Sequence, residues 1–527
     1  MSWDASVYYV LGTSLAQGSG YRLLNEPAEI QSVQYPPLMP AVVALHQKLY
    51  GTDDFAVVSS RLKPLWMAFH ALLSVATFFL LRRWMSTAWA FAATMLYALN
   101  FAVYLHAGQC SADLPFALAS VVFFTVFKPN GSRLRGAFAG STVVVAFFSR
   151  TIGVALMAAW IIDGLMRRQF KRAASRLALT IACLLLWSSY IYYVEHSPDY
   201  ANTAYTYQRA DYLFYNVSYL QNIRYADPYK PELGKLTVTG FSERMLNNLR
   251  QMPMRIGEAL TSERGFWEWQ TDILASKLNL PKIDSRMIPF ILTVIGIWSA
   301  FGLYMLFAAG DRLIPIYVFL TVLILCIAAP WPAQYVRYLV PLLPLLILAC
   351  FLAFSRFLAL FARRNIRYEY TRTIACAVFL SLLTQSCITY YLTHTKLLLE
   401  NRWINDRQGR PIPYRQISSP DRIAVDEAIH WLSGRVRPGD VIAAAMPQWT
   451  FLRTRAQTVM PPLEIDSARE RALLDSVPVK YLLHESPSFV PWRYVDQVLQ
   501  TYPNDWRLVY TASGGLAHVY ERSSARQ

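Results

Sequence analysis

The chain has 527 residues, of which 54% are hydrophobic and only 16% charged, with a mean hydropathy of +0.25. A soluble chain of this length carries about 25% charged residues, so a water-soluble enzyme is excluded, and the apolar content excludes a disordered chain. The net charge of +16 is placed unevenly: segments 82–85, 128–135, 167–176, 310–312 and 355–372 hold 16 Lys/Arg against Asp311 and Glu369, which is +14 of the total. Short basic loops between apolar runs are the positive-inside pattern of an integral membrane protein. No nucleic-acid partner is needed to explain the charge.

Along the chain, residues 1–63 come first. Asp4 begins a stretch with Val7, Leu11 and Leu15 at helical spacing. This predicts an amphipathic helix lying on the membrane, with the carboxylate at its N-terminus, where Asp is also an ordinary cap. Gly18 and Gly20 end it, and Tyr35-Pro36-Pro37 stiffens the approach to a second short apolar helix. Ten apolar segments follow: 64–81, 86–105, 111–127, 136–148, 151–166, 177–194, 287–309, 313–329, 335–354 and 373–394. Ser149 and Arg150 divide 136–148 from 151–166, which reads either as two short crossings or as one re-entrant hairpin.

The basic loops set the orientation. With 82–85 inside, alternation places 1–63, 195–286 and the tail 395–527 outside. The N-terminus has neither the basic nor the apolar region of a signal peptide. The expectation is therefore that the helix preceding this first outer loop is absent from the chain. The tail reads as a small extracytoplasmic α/β domain. Helices are expected at 421–433, 466–476 and 490–501, and strands at 440–445, 479–484, 506–511 and 516–521. The six cysteines all lie in or beside apolar segments, so they read as packing residues rather than a disulfide framework.

Few residues stand out as chemistry. Asp113 follows the outer turn HAGQCSA and opens the run LPFALASVVFFTVF. It reads as a helix cap or, at the mouth of a membrane helix, as a functional acid. Arg337, between Tyr335 and Tyr338, stands at the outer start of a helix. There a guanidinium either snorkels or grips a phosphate. Arg150 is similar. Asp163 and Arg167 are four apart and read as an intrahelical ion pair; His46 and His70 read as packed or interfacial. There is no HExxH, CxxC, EF-hand or P-loop pattern.

The ordered set of Asp4, LAQGSGY, YPPLMP, SADLPFAL, FSRTIGVAL and RYLVPLLPLL, followed by an outer α/β tail, resembles the GT-C glycosyltransferases. Within them it is most similar to bacterial relatives of the protein O-mannosyltransferase and aminoarabinose transferase group. The resemblance implies a polytopic α-helical enzyme of the inner membrane that takes a sugar from a polyprenyl-phosphate carrier on the outer face. The acceptor would be a lipid, a glycan or a protein. It implies Asp4 and Asp113 as catalytic acids; by position, Arg337 first and Arg150 second are the candidates for the donor phosphate, and Tyr8, Tyr35, Gln334 and Tyr335 for substrate contacts. In aminoarabinose relatives a Lys before the Pro-Pro motif helps hold the donor phosphate; here Gln34-Tyr35 stands in that place, which moves the expectation to the arginines. No cofactor is assigned; a divalent metal is a candidate without an assigned ligand.

The residue chemistry points the same way. A sugar on a lipid phosphate must be met at the membrane surface, by a base for the acceptor proton and a cation for the departing phosphate. One base and direct displacement imply inversion, for a hexosyl or pentosyl group. The competing classes are a lipid or sugar transporter, which would place polar broken helices at the midplane, and a non-catalytic envelope assembly protein.

Overall fold

The computed structural model describes residues 3–279, 281, 284, 286–328, 330–331, 334–361, 367–398, 402–405, 411–414, 420–485 and 492–523. The chain is a polytopic helical membrane protein with a small C-terminal sheet region. It divides into two compact units: Met1–Leu62, Leu186–Gly240 and Leu397–Gln527 form one, and Lys63–Leu185 and Phe241–Lys396 the other.

Each of the ten apolar segments forms helix over most of its described residues. Among the described residues five helices are long and apolar enough to cross a membrane: Phe55–Leu81, Phe170–Glu195, Met287–Ala308, Tyr335–Phe357 and Thr373–Leu392. Asp113–Val126, Thr151–Met166 and Leu313–Ala328 are apolar but shorter. Tyr335–Phe357 is 72% buried against 22–33% for the other four long helices, so it is the hub of the bundle, while the others turn apolar faces outward. Close packing rests on small residues. A Cβ on Gly302 would stand 1.8 Å from the Ala349 carbonyl oxygen, so helices Met287–Ala308 and Leu343–Phe361 touch backbone to backbone. The segment 86–105 is broken at Asn100, whose side chain caps the helix Phe101–Ala107 through Ala102 N and Val103 N and donates to Ala259 O at 2.8 Å.

The first unit gathers three distant stretches. Helix Trp3–Gln17 packs against Leu38–Tyr50 and Pro447–Thr454. It is not the amphipathic surface helix expected from the sequence: every residue from Ala5 to Ser14 is buried. Its small polar side chains are satisfied internally, Thr13 Oγ1 donating to Tyr9 O and accepting from Gln47 Nε2, and Ser14 Oγ donating to Gly20 O. Small hydroxyls that can bond within the unit let a helix be buried all round, which a count of apolar positions does not reveal.

The C-terminal region contains a hairpin of β1 (Arg402–Asn405) and β2 (Pro411–Tyr414). It also contains a sheet of β3 (Val441–Ala444), β4 (Gln457–Val459), β5 (Val479–Glu485), β6 (Trp506–Thr511) and β7 (Ala517–Arg522), in the order β4-β3-β5-β7-β6. β4, β3 and β5 are parallel, and β7 runs antiparallel to both β5 and β6. The helices Pro420–Ser433, Ser467–Asp475 and Trp492–Thr501 fall within two residues of their expected bounds. Helix Pro447–Thr454 and β4 were not expected; the strand has only three residues, too few to show a period. Tyr205, Tyr207 and Leu213, from the segment expected as a plain outer loop, pack into the sheet's core with Val441, Leu482 and Trp492. Asn25 and Thr458 exchange hydrogen bonds, Asn25 Nδ2 to Thr458 O at 3.1 Å and Thr458 N to Asn25 O at 2.7 Å.

Glu485 ends β5 with its carboxyl buried. Burial pushes its pKa up from the ordinary 4.5 to about 8, against the opposing pull of Arg422. The folded state holds this proton where the unfolded chain has released it, so its contribution to stability falls as pH rises through that window. Expected between pH 5.5 and 8 is a loss of hydrogen-exchange protection in β5 and β7 of the wild type relative to Glu485→Gln, which cannot titrate. Parallel pH dependence in the two proteins would refute the assignment.

Candidate functional site

In the first unit the candidate centre is Asp4. It lies in the first turn of helix Trp3–Gln17, and its carboxylate is held by side chains distant in sequence. Tyr35 Oη donates to Asp4 Oδ1 at 2.7 Å and Tyr215 Oη donates to the same oxygen at 3.2 Å. The phenols pack on one another: Tyr35 stacks on Tyr215 with centroids 5.8 Å apart, and Tyr8 and Tyr219 meet Tyr35 edge-on at 5.1 and 5.9 Å. Burial, with the Asp4 charge second, raises the Tyr35 pKa well above the usual phenol range. Tyr35 therefore stays a donor, and the carboxylate is oriented by two phenols.

Tyr215 reaches Asp4 from a left-handed backbone conformation, φ 74°, which is uncommon for a bulky residue and persists only where its surroundings enforce it. The enforcing group is Gln34. Its Oε1 accepts from Tyr215 N at 3.0 Å, and its Nε2 donates to Asn222 Oδ1 at 2.8 Å. Asn222 in turn donates to Asp211 O at 2.8 Å. Gln34, buried at 1% exposure, thus serves the architecture around Asp4.

In the second unit the centre is Asp113, which has no exposed surface. Helix Asp113–Val126 is preceded by Ala112 at its cap position, without a side-chain cap, so Asp113 is not the cap that its position suggested. Arg150 Nη1 contacts Asp113 Oδ1 directly, and Arg337 Nη2 and His106 Nδ1 lie 3.5 and 3.4 Å from Oδ2. His106 Nδ1 is also 3.2 Å from Ser111 Oγ, and Trp66 Nε1 donates to Ser111 O at 2.9 Å.

The two arginines arrive by different routes. Arg150 is the extended residue at which helix Arg133–Ser149 ends. The turn after it folds back so tightly that a Cβ on Gly153 would sit 2.7 Å from Phe147 N, which leaves Arg150 at the tip. Helices Arg133–Ser149 and Val154–Met166 are therefore joined by a single tight turn. Arg337 lies in the short helix Tyr335–Leu339 that opens the central bundle helix. Both guanidiniums lie by the Tyr338 ring, at 5.5 and 5.9 Å, and Tyr338 Oη donates to Gln334 Oε1 at 2.8 Å. The arginine side chains keep 21% and 28% exposure while the carboxylate keeps none. The cluster therefore shows guanidinium, not carboxylate, to its surroundings.

The structure thus brings Tyr8 and Tyr35 to Asp4 in one unit, and Arg150, Arg337 and, through Tyr338, Gln334 to Asp113 in the other. Two expected substrate contacts are enclosed in the structure. Tyr335 has no exposed surface and donates to Leu325 O at 3.2 Å, and Tyr8 is 3% exposed. His106, Tyr215 and Tyr219 were not singled out from the sequence. Five tyrosines between Tyr205 and Tyr219 were the available signal for the last two. Among the described residues no group of three or more His, Cys, Asp or Glu side chains could hold a metal ion.

No family model matches the chain, and no curated protein sequence matches it. Among solved structures it is similar to the archaeal oligosaccharyltransferase AglB from Archaeoglobus fulgidus. The complex of AglB with an inhibitory peptide and a dolichol-phosphate matches with a TM-score of 0.52 and 11% identity, covering 100% of this chain and 70% of that one. The complex of the Archaeoglobus fulgidus enzyme with Zn and sulfate matches with a TM-score of 0.53 and 10% identity, covering 99% and 69%. The chain has the GT-C fold. ArnT from Cupriavidus metallidurans, bound to undecaprenyl phosphate, matches with a TM-score of 0.48 and 14% identity over 99% of this chain and 94% of that one. At 10–11% identity the likeness to AglB is one of fold alone.

Proposed function

We propose that this protein is an integral membrane glycosyltransferase that takes a hexosyl or pentosyl group from a polyprenyl-phosphate carrier and passes it to a lipid, glycan or protein acceptor. The observation that carries the reading is the cluster in which buried Asp113 gathers Arg150 and Arg337, leaving a partly exposed pair of guanidiniums. Such a pair suits a phosphate better than a lone cation, because planar forks match phosphate oxygens. A sugar phosphodiester carries one negative charge, and its departing lipid phosphate gains more as the glycosidic bond breaks. A cation held in place therefore binds the transition state more tightly than the ground state, which is what raises rate. Asp113 acts as a positioning residue. It touches both arginines and keeps them from spreading apart.

Asp4 is assigned as the base that takes the proton from the acceptor hydroxyl. Tyr35 and Tyr215 orient its carboxylate, and attack on the anomeric carbon opposite the phosphate inverts that centre. The fold neighbour AglB has been captured with a dolichol-phosphate, a lipid phosphate of the class proposed here. Asp4→Asn keeps size and removes the base. Expected is a loss of transfer of at least about 100-fold, measured as release of polyprenyl phosphate by purified protein screened across lipid-linked sugars. Unchanged turnover in Asp4→Asn would remove Asp4 from the chemistry, and no turnover with any donor in the wild type would leave the envelope assembly reading in its place.

The reading also assigns the inner membrane as location, with 1–63, 195–286 and 395–527 on the outer side, motivated by the five basic loops. All six cysteines are buried, so labelling of introduced thiols has little background. Ser433→Cys should react with an impermeant maleimide in intact cells, and Ser132→Cys only after permeabilisation. Reaction of both from one side would overturn the orientation.

A further inference from the structure

Away from both clusters, the second unit contains a pocket of about 640 Å³ lined by Arg83, Lys128, Arg135, Arg167, Asn130 and Ser132, among others, with no acid in its wall. These cations come from three segments of the chain and converge on one space. Two are fixed in place. Arg83 Nη1 donates to Phe124 O at 2.6 Å; Arg167 Nε donates to Asp163 Oδ1 at 2.8 Å and its Nη2 to Gly310 O at 3.3 Å. Asp163, 1% exposed, offsets one of the four charges, and Asp311 is engaged with Trp84 Nε1 at 3.1 Å. Lys128 and Arg135 are exposed. Like charges brought together this way repel one another, so the arrangement gains free energy when an anion enters.

A second feature says what kind of anion. Leu134, beside Arg135, is 81% exposed, and Phe138, four residues on along the same helix face, is 51% exposed. A soluble anion leaves such side chains in water, whereas the acyl chains of a lipid cover them. We infer that this pocket binds the phosphate head group of an anionic phospholipid, with its acyl chains lying over Leu134 and Phe138. The site supplies a lipid anchor for the loops 82–85 and 128–135, separate from any lipid-linked sugar.

The test uses the full-length protein, stripped of lipid in neutral detergent and titrated with phosphatidylglycerol, phosphatidylcholine or inorganic phosphate, with bound lipid counted by native mass spectrometry. Expected is preferential retention of phosphatidylglycerol, weakened at least about tenfold in Lys128→Glu/Arg135→Glu, since each cation near an anionic lipid contributes measurably. Leu134→Ser should weaken phosphatidylglycerol retention without changing competition by inorganic phosphate. Thermal unfolding of each variant in phosphatidylcholine, unchanged from wild type, separates lost binding from lost fold. Equal phosphatidylglycerol retention by the folded double variant would overturn the site. Competition by inorganic phosphate as effective as that of the lipid would make it a soluble-anion site and overturn the lipid assignment.

Discussion

A carboxylate with no solvent contact is tolerable only where it is paired, and Asp113 is paired three ways, to Arg150, Arg337 and His106. Breaking a buried pair of this kind typically costs about 3–5 kcal/mol. The sequence therefore has to deliver two arginines, one at a hairpin tip and one at the start of the central helix, to the same point. Gly153 allows the tip, by letting the chain turn back against Phe147. The short helix Tyr335–Leu339 allows the other, by presenting Arg337 ahead of the longer helix that follows. The proposed donor-phosphate site is thus a by-product of satisfying one buried charge. That explains how the guanidiniums can be both held by a buried acid and partly exposed.

Asp4 is treated differently. Two phenols donate to its carboxylate. The cost is borne at Tyr215, in a left-handed backbone conformation held by Gln34 and, behind it, Asn222. Gln34 and Tyr35 occupy the place where the resembled relatives carry a phosphate-holding Lys. Here they hold and orient the acid.

Sequence periodicity located what depends on periodicity. All ten apolar segments are helical over most of their described length, and the tail's longer strands and helices lie close to where alternation placed them. What failed had physical reasons. Helix Trp3–Gln17 carries an apolar stripe, but Ser6, Thr13 and Ser14 are small enough to be buried with it, so the stripe did not mark a surface helix. β4 is three residues long and borrows its place from Asn25, more than 400 positions away. For the candidate site, residue type and position singled out Asp4, Asp113, Arg150 and Arg337, because acids and arginines beside apolar runs are costly and conspicuous. Tyr215 and His106 were invisible because their importance comes from tertiary placement. Tyr335 was conspicuous beside Arg337 yet is turned inward to Leu325.

The division of labour between cation cluster and acid is tested most directly by binding of polyprenyl phosphate without any sugar, measured on purified wild type, Asp4→Asn and Arg150→Ala/Arg337→Ala. If the arginines hold the phosphate and Asp4 acts only on the acceptor proton, Asp4→Asn binds as tightly as wild type and the double variant at least about tenfold more weakly. Equal affinity in all three proteins, each shown to be folded, would contradict the assignment of the phosphate to the arginines.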